Sequence, residues 1–328
     1  MNAVKSQADG MSAISSRPGY REGKQLKRRG WMRDISRDRY LYLLALPMVL
    51  YFLIFKYVPM WGLVISFQEY SPYTGIAGSP WVGLEHFQRF FAHPDFWKLL
   101  RNTFAINLFG LVFFFPLPIL LSILLNEMRH QAYKRILQSI VYLPHFLSWV
   151  IIAGITFLML SQSKGIVNEL IAWMGYEKID FLSDSRLFWI NLTLQSIWKD
   201  AGWGTIIFLA AIAGIDPGLY EAAKIDGAGR FRQMWHVTLP GIRNVIMILL
   251  ILRIGHMMDV GFEQVFLMMN GAVSDVADVF DTYVYRSGIQ QGQFSYSTAV
   301  GFFKSVVGLV LVIGANRLAK KFGQEGIY

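Results

Sequence analysis

The chain has 328 residues, of which 54% are hydrophobic and only 16% are charged. Soluble domains carry about 25% charged residues, so this composition argues against a soluble enzyme and indicates an integral membrane protein. The chain has no cysteine, which excludes disulfides, thiolate metal sites and a cysteine nucleophile.

The net charge of +9 is concentrated near the N-terminus, where residues 1–39 hold ten Lys and Arg side chains against four acids. Such an arm suits nucleic acid, but beside a first apolar span it more often marks the cytoplasmic side of a membrane. We favour the membrane interpretation and expect no nucleic-acid partner. Because Ser, Gly and charged residues dominate residues 1–25, we expect part of this arm to be disordered.

A bilayer core of about 30 Å requires about 20 apolar residues in a helix, and six stretches of the chain meet this requirement. They are Tyr40–Phe67, Thr103–Leu125, Ile136–Ser161, Phe188–Ile215, Ile242–Met268 and Ser297–Leu318. None alternates between polar and apolar residues with a period of two, which argues against a β-barrel. The sequence therefore predicts an all-α integral membrane protein with six transmembrane helices.

The positions of Lys and Arg predict how these spans are oriented. If the basic arm is cytoplasmic, the segments after the second, fourth and sixth spans are cytoplasmic too, and all three are basic. Both termini are then cytoplasmic. The predicted organisation is an N-terminal arm, 1–39, a transmembrane domain, 40–320, with a cytoplasmic loop at 216–241, and a cytoplasmic tail, 321–328.

The loop after the fourth span contains helix start and stop signals. Asp216 is placed to cap a short helix, Pro217 suits its first position, and Gly227 suits its end. A second short helix follows through "RFRQMWHVTL", and Pro240 is expected to end it. Two short helices between two spans predict a knob on the inner face that is exposed to a cytoplasmic partner.

The stretch "EAAKIDGAGRFRQMWHVTLP" is similar to the EAA loop of binding-protein-dependent ABC importer permeases. Glu221, Ala222, Ala223, Gly227, Leu239 and Pro240 match the family pattern, and Val237 stands where the family usually has Ile. The resemblance implies that this loop couples the permease to an ATPase. The expected coupling residues are Tyr220, Glu221, Ala222, Ala223, Lys224, Asp226, Gly227, Leu239 and Pro240.

The stretches "YLPHFLSWVIIAGITF", "FKYVPMWGLVISFQEYSPYTGI" and "SPWVGLEHFQRFF" resemble sugar-importer permeases of the maltose type, especially those for complex oligosaccharides and polysaccharides. The resemblance covers about residues 38–328 and implies a type I importer permease fold in a bacterial inner membrane. It also implies a second, different permease chain, two ATPase subunits and an extracytoplasmic solute-binding protein. The implied cargo is carbohydrate, with alginate or its oligosaccharides as the candidate, and ATP and Mg²⁺ belong to the ATPase.

Ionisable residues inside spans are costly, so they indicate function by default. The fourth span carries Lys199 and Asp200, and the fifth carries Arg253, His256, Asp259 and Glu263. On a continuous helix with about 100° per residue, the four residues of the fifth span lie on one face, within a wedge of roughly 120° around the helix axis. The predicted translocation-path residues are Asn191, Gln195, Trp198, Lys199, Asp200, Arg253, His256 and Asp259. In the alternative, the opposite charges only neutralise one another as packing contacts.

Two other functions remain open from the residues themselves. An intramembrane enzyme would use His256, Asp259 or Glu263, and a proton-coupled carrier would use the same charges without ATP. The chain has no Walker A pattern, so ATP hydrolysis is assigned to a partner. Neither the enzyme nor the carrier has a use for an ATPase-docking loop, so we favour the importer subunit over both. We expect this subunit to be non-catalytic and to have no cofactor and no metal site.

Overall fold

The computed structural model describes residues 38–323 and residue 326. Nearly all of the predicted arm, 1–39, and part of the predicted tail, 321–328, therefore lie outside the described residues. By its contacts the chain divides into two compact units, Met1–Trp61 and Gly62–Tyr328. In the described residues the regular structure is helical apart from one antiparallel bridge between Gln68 and Trp81, as the all-α prediction requires.

Helices follow one another along the described chain, joined by loops and short turns. The main ones are α1 (Arg39–Phe67), α2 (Glu85–Phe91), α3 (Phe96–Asn126), α4 (Gln131–Phe146), α5 (Trp149–Leu160), α6 (Ile166–Trp173), α7 (Ser185–Ala213), α8 (Pro217–Ile225), α9 (Arg230–Gly241), α10 (Arg243–Gly255), α11 (Phe262–Met268), α12 (Phe280–Val284) and α13 (Phe294–Lys321). Helices α1, α3 and α13 are each long and apolar enough to cross a membrane. The bent pairs α4–α5, α7–α8 and α9–α10 raise the candidate spans to as many as six.

Three helices contain a widened π-turn shortly before a proline. The turns are Leu53–Tyr57 before Pro59, Gly110–Phe114 before Pro116, and Met234–Thr238 before Pro240. Proline has no amide hydrogen and its ring clashes with the preceding turn, and a π-turn is one way to accommodate such a break in the hydrogen-bond ladder. Helix α9 accordingly passes through the π-turn and ends at Gly241, one residue after Pro240, where the sequence predicts its end.

The predicted third span, Ile136–Ser161, is not one helix. Helices α4 and α5 meet at an angle of 102° around Leu147 and Ser148. Pro144 lies in the last, 3₁₀ turn of α4, and the Ser148 hydroxyl caps α5 by accepting from the amide of Ile151 at 3.4 Å. A proline followed by an N-capping serine gives this break a local cause.

The predicted fifth span, Ile242–Met268, is also interrupted. Helix α10 ends at Gly255, and a non-helical segment, 256–261, leads to α11. Gly261 has a φ of +94°, a conformation that residues with a side chain rarely adopt. The wedge predicted for Arg253, His256, Asp259 and Glu263 is therefore wrong, because the helix on which it was drawn stops before His256.

The long helix α7 packs closely against both α3 and α4. A Cβ at Gly202 would collide with the carbonyl oxygen of Val141 on α4, and a Cβ at Gly204 would touch Pro118 on α3. Small residues at such crossings let helix backbones approach each other in membrane proteins. This packing places Lys199 and Asp200, one turn before Gly202, directly beside the break between α4 and α5.

We predict that Gly202→Ala destabilises the protein, because its Cβ overlaps backbone atoms that cannot move away independently. Overpacking of this kind costs about 1–3 kcal/mol, measured as a lower midpoint of thermal unfolding in detergent. The matched control is Gly154→Ala on α5, where nothing lies within 4 Å of the new Cβ. Equal midpoints for the two variants would contradict the close approach of α7 and α4.

Candidate functional site

The loop between α7 and α10 has the capped geometry that the sequence predicts. The Asp216 carboxylate accepts from the amide of Gly218 at 2.9 Å, and Pro217 is the first residue of α8. At the other end Gly227 has a φ of +74°. The amide of Ala228 donates to the carbonyl of Ala223 at 2.8 Å, and that of Gly227 donates to Lys224 at 3.0 Å. These two bonds form a Schellman ending, so the predicted start and stop of α8 are confirmed.

Side-chain hydrogen bonds and an apolar base hold α8 and α9 together. The hydroxyls of Tyr220 and Thr238 lie 3.0 Å apart, and the Gln233 amide donates to the carbonyl of Ala228 at 2.7 Å. Below them Ile242 is fully buried against Ile123 on α3 and against α7 residues Phe208 and Ile212. The two short helices therefore form one rigid projection, which we call the loop knob (residues 216–241).

The surface of the loop knob is more apolar than its charged sequence suggests. Of the predicted coupling residues, Glu221, Ala222, Lys224, Asp226, Gly227 and Pro240 are exposed, whereas Tyr220, Ala223 and Leu239 are half-buried. Ile225, Phe231 and Trp235 are also exposed, Ile225 by 87%. Large apolar side chains are rarely displayed together without a partner. Sequence reasoning missed these three, although apolar residues in an otherwise polar loop were a visible signal.

Lys199 completes the hydrogen bonding of the break between α4 and α5. Its buried ammonium donates to the carbonyls of His145 at 2.8 Å and Leu147 at 2.5 Å. Carbonyls at a helix C-terminus have no partner in their own helix and carry partial negative charge, so a cation is favourable there. Asp200 lies next to it and contacts the His145 ring nitrogen Nδ1 at 2.8 Å. Lys199 and Asp200 therefore bond mainly to the break between α4 and α5, but Asp200 also acts on the charge of Arg253, so the alternative of mutual neutralisation stays open for that pair.

Two other predicted path residues serve as buried hydrogen-bonding groups. The Asn191 amide donates to the carbonyl of Phe181 at 2.6 Å. The Gln195 amide donates to the Thr156 hydroxyl at 2.8 Å, and its oxygen accepts from Gln264 at 3.1 Å. These bonds hold α7 against α5 and α11. Trp198, three residues after Gln195 on the same helix, is exposed.

The remaining three predicted path residues line cavities beside the break at 256–261. Arg253, His256 and Asp259 share a cavity of about 490 Å³ with aromatic and aliphatic side chains that include Phe114 and Phe208. A second cavity of about 360 Å³ shares His256 and Asp259 and is also lined by Asp281 and Lys304. The structure thus brings together three of the eight predicted residues and adds two that sequence reasoning missed.

Arg253 is a partly buried cation that shares this cavity with Asp259. Its guanidinium lies 5.6 Å from the centre of the Phe114 ring, and Asp200 acts on its charge from beyond salt-bridge distance. A partly buried arginine whose guanidinium is not taken up by a salt bridge can bind a carboxylate through two parallel hydrogen bonds. The cavity therefore has the chemistry to hold an anionic, ring-shaped ligand.

Polar side chains from three other elements hold the segment 256–261. The Asn107 amide on α3 donates to the carbonyl of Met257 at 3.0 Å, and Asp281 on α12 accepts from the amide of Val260 at 3.2 Å. Lys304 on α13 contacts Asp259 at 3.0 Å and also pairs with Asp281. None of these partners is near the segment in sequence. Within the described part of the chain, no three His, Asp or Glu side chains meet as a metal site.

Helices that break around charged cavities, together with a rigid exposed loop, define the membrane subunit of a transporter. Comparison with known proteins gives the same class. Residues 115–324 match the family described as the binding-protein-dependent transport system inner membrane component. The permease YteP of Bacillus subtilis (strain 168), from a polygalacturonan/rhamnogalacturonan transport system, is 56% identical over 305 residues, covering 93% of this chain and 95% of YteP.

Two solved structures have the same fold. A chain of a bacterial alginate ABC transporter, crystallised with its alginate pentasaccharide-bound periplasmic protein, matches with a TM-score of 0.83 at 39% identity and covers 91% of this chain and 100% of that chain. A chain from a bacterial ABC transporter involved in the import of the acidic polysaccharide alginate matches with a TM-score of 0.81 at 40% identity, covering 88% and 98%.

The chain belongs to the binding-protein-dependent inner membrane component family and is a sugar permease of an ABC importer. Membership implies a solute-binding protein, a partner permease and an ATPase. It decides against the intramembrane enzyme and the proton-coupled carrier that the residues alone had left open. The resemblance drawn from the loop sequence and the apolar stretches is thereby confirmed.

We predict that Lys199→Met destabilises the permease, because it leaves the carbonyls of His145 and Leu147 without their donor. Hydrogen bonds to a charged group contribute about 1.5–3 kcal/mol, so the thermal midpoint in detergent falls measurably. Lys164→Met, at an exposed loop position, is the matched control and leaves the midpoint unchanged. An unchanged midpoint for Lys199→Met would rule out its role at the break.

Proposed function

We propose that the chain crosses the bacterial cytoplasmic membrane six times with both termini in the cytoplasm. The three long helices and the three bent pairs supply six candidate spans, and Lys and Arg follow the second, fourth and sixth. On this topology the loop knob faces the cytoplasm. The transmembrane domain then runs through residues 40–320, as the sequence predicts, and takes the type I importer fold.

The loop knob is the docking site for an ATPase, and its rigid exposure is the observation that carries this proposal. Ile225, Phe231 and Trp235 supply apolar anchors, which dominate the energetics of protein interfaces when a partner covers them. Glu221 offers a carboxylate for a charge-assisted hydrogen bond to a basic partner residue. The bonds between α8 and α9 let the knob move as one body when its partner moves.

The assembly that suits this knob contains two ATPase subunits, which bind ATP and Mg²⁺, and a second permease of different sequence. A solute-binding protein on the outer face delivers the cargo. One similar solved transporter is described in complex with a periplasmic protein, which supports this arrangement. The permease itself contributes the path and the coupling loop, and it needs no cofactor of its own.

The cargo is an acidic oligosaccharide. The name of YteP specifies polygalacturonan and rhamnogalacturonan, and both similar structures concern alginate, described in one of them as an acidic polysaccharide. These polymers share uronic acid units, so the common feature is a carboxylate on a sugar ring. The guanidinium of Arg253 and the ring of Phe114 suit that feature. Oligosaccharides of alginate and of galacturonate are the two candidates.

We predict that Glu221→Lys abolishes stimulation of ATP hydrolysis by the loaded binding protein, because it replaces the carboxylate by a cation at the docking face. The measurement uses the full assembly in liposomes, with the partner permease, ATPase and binding protein. Lys321→Glu, an exposed charge reversal at the cytoplasmic end of α13, is the control and keeps the stimulation. Stimulation of both variants to the wild-type level would exclude the loop knob as the coupling element.

We predict that Arg253→Gln raises the half-saturating concentration of oligogalacturonate or oligoalginate about tenfold or more in the same liposomes. Loss of a charge-assisted hydrogen bond, about 1.5–3 kcal/mol, corresponds to this factor. Arg253→Lys keeps the charge without the planar fork and gives a smaller change. Arg186→Gln, at an exposed position in the first turn of α7, serves as the control. An Arg253→Gln transporter with wild-type uptake would disprove the cargo contact.

A further inference from the structure

Lys304 on α13 is a single ammonium that contacts two carboxylates at the wall of the 360 Å³ cavity. It pairs with Asp281 on α12 and lies 3.0 Å from Asp259 in the non-helical segment 256–261. The Lys304 side chain is only 10% exposed. A buried ammonium without a partner is strongly unfavourable, so at least one carboxylate must stay with it in every state of the transporter.

The two carboxylates differ in how firmly they are held. The side chain of Asp281 is 20% exposed and also accepts a hydrogen bond from the amide of Val260. The side chain of Asp259 is 62% exposed and faces both cavities. An ion pair with one exposed partner contributes roughly 0–1 kcal/mol, because water competes for the charge. Asp281 is therefore a fixed partner of Lys304, and Asp259 is a replaceable one.

The position of Asp259 is also where a ligand could reach Lys304. Asp259 and His256 line both cavities, so the larger cavity with Arg253 and the smaller one with Lys304 meet at these residues. Cavities of about 300–1,000 Å³ are typical of small-molecule sites. A carboxylate that enters beside Arg253 meets Asp259 first, and behind it the ammonium of Lys304.

We propose that the Asp259 carboxylate is a built-in competitor for the carboxylate of the cargo. In the empty transporter it occupies the exposed side of Lys304, and a uronate carboxylate displaces it when cargo enters. The exchange replaces one carboxylate by another, so the buried ammonium never loses its partner and no proton has to move. Lys304 thereby determines specificity for acidic sugars together with Arg253. This inference rests on the proposed acidic cargo.

Two substitutions of the same contact should then have opposite effects. Asp259→Asn removes the competing charge and lowers the half-saturating concentration of acidic cargo about two- to fivefold, the range that corresponds to an exposed ion pair. Lys304→Gln removes the ammonium and raises that concentration. A purely structural ion pair gives the same direction of change for both variants, because each breaks the same contact.

The experiment uses the complete transporter in liposomes and compares uptake of oligogalacturonate with uptake of its methyl ester, which has no free carboxylates. The same binding protein loads every variant. Its own preference for acid or ester therefore cancels when the half-saturating concentration of each variant is divided by that of the wild type. The opposite shifts are expected for oligogalacturonate and not for the ester. Asp275→Asn is the control, because this exposed carboxylate pairs with Arg101 away from both cavities. Lys304→Arg keeps the charge and retains the preference for acid, which separates loss of charge from loss of folding.

The possible outcomes distinguish failure of the role proposed for Asp259 from failure of the proposed acidic cargo. Equal shifts for acid and ester, shifts in the same direction for both variants, or no shift would overturn the role of Asp259 while leaving acidic cargo intact. A wild-type transporter that imports ester and acid equally well would overturn the acidic cargo itself, and the competitor with it. Opposite shifts confined to the acid would establish both.

Discussion

Hydrogen bonding of the backbone inside apolar surroundings is the constraint on which this structure depends. A helix that breaks there leaves carbonyl and amide groups without partners, and neighbouring side chains must supply them. Lys199 does so for the carbonyls between α4 and α5. Asn107 and Asp281 do so for the segment 256–261. The polar side chains of the neighbouring helices thus determine where the apolar helices are able to bend.

This constraint divides the charged residues into two groups. Lys199 and Asp200 have bonds that complete the break between α4 and α5. Arg253, His256 and the exposed side of Asp259 line cavities. Counting charges inside the spans cannot separate these groups, because both consist of ionisable residues in apolar sequence. The distinction depends on which backbone groups and cavities each side chain faces.

The same arrangement connects the loop knob to the cavities. Helix α10 begins at Arg243, directly after the knob, and ends at Gly255, where the cavity-lining segment starts. Its 13 residues span about 20 Å at 1.5 Å per residue. The base of the knob is buried against α3 and α7, and the segment 256–261 is tied to α3, α12 and α13. One uninterrupted helix, α10, therefore connects the loop knob with the residues that line the two cavities.

By itself the sequence determined the features that depend on neighbouring residues. Apolar runs predicted the candidate spans, and Asp216, Pro217 and Gly227 predicted the ends of α8 because capping needs only residues within one turn. The sequence also carried the loop pattern that identified the family. Pro144 and Ser148 marked the break between α4 and α5 locally, but its 102° angle, the break after Gly255 and the division of the charges were decided by the tertiary structure. Hydropathy is averaged over a window of residues, and a helical wheel assumes an unbroken helix, so neither detects a break. The side chains that allow a break, such as Lys199 for Leu147 and Asn107 for Met257, come from distant parts of the chain.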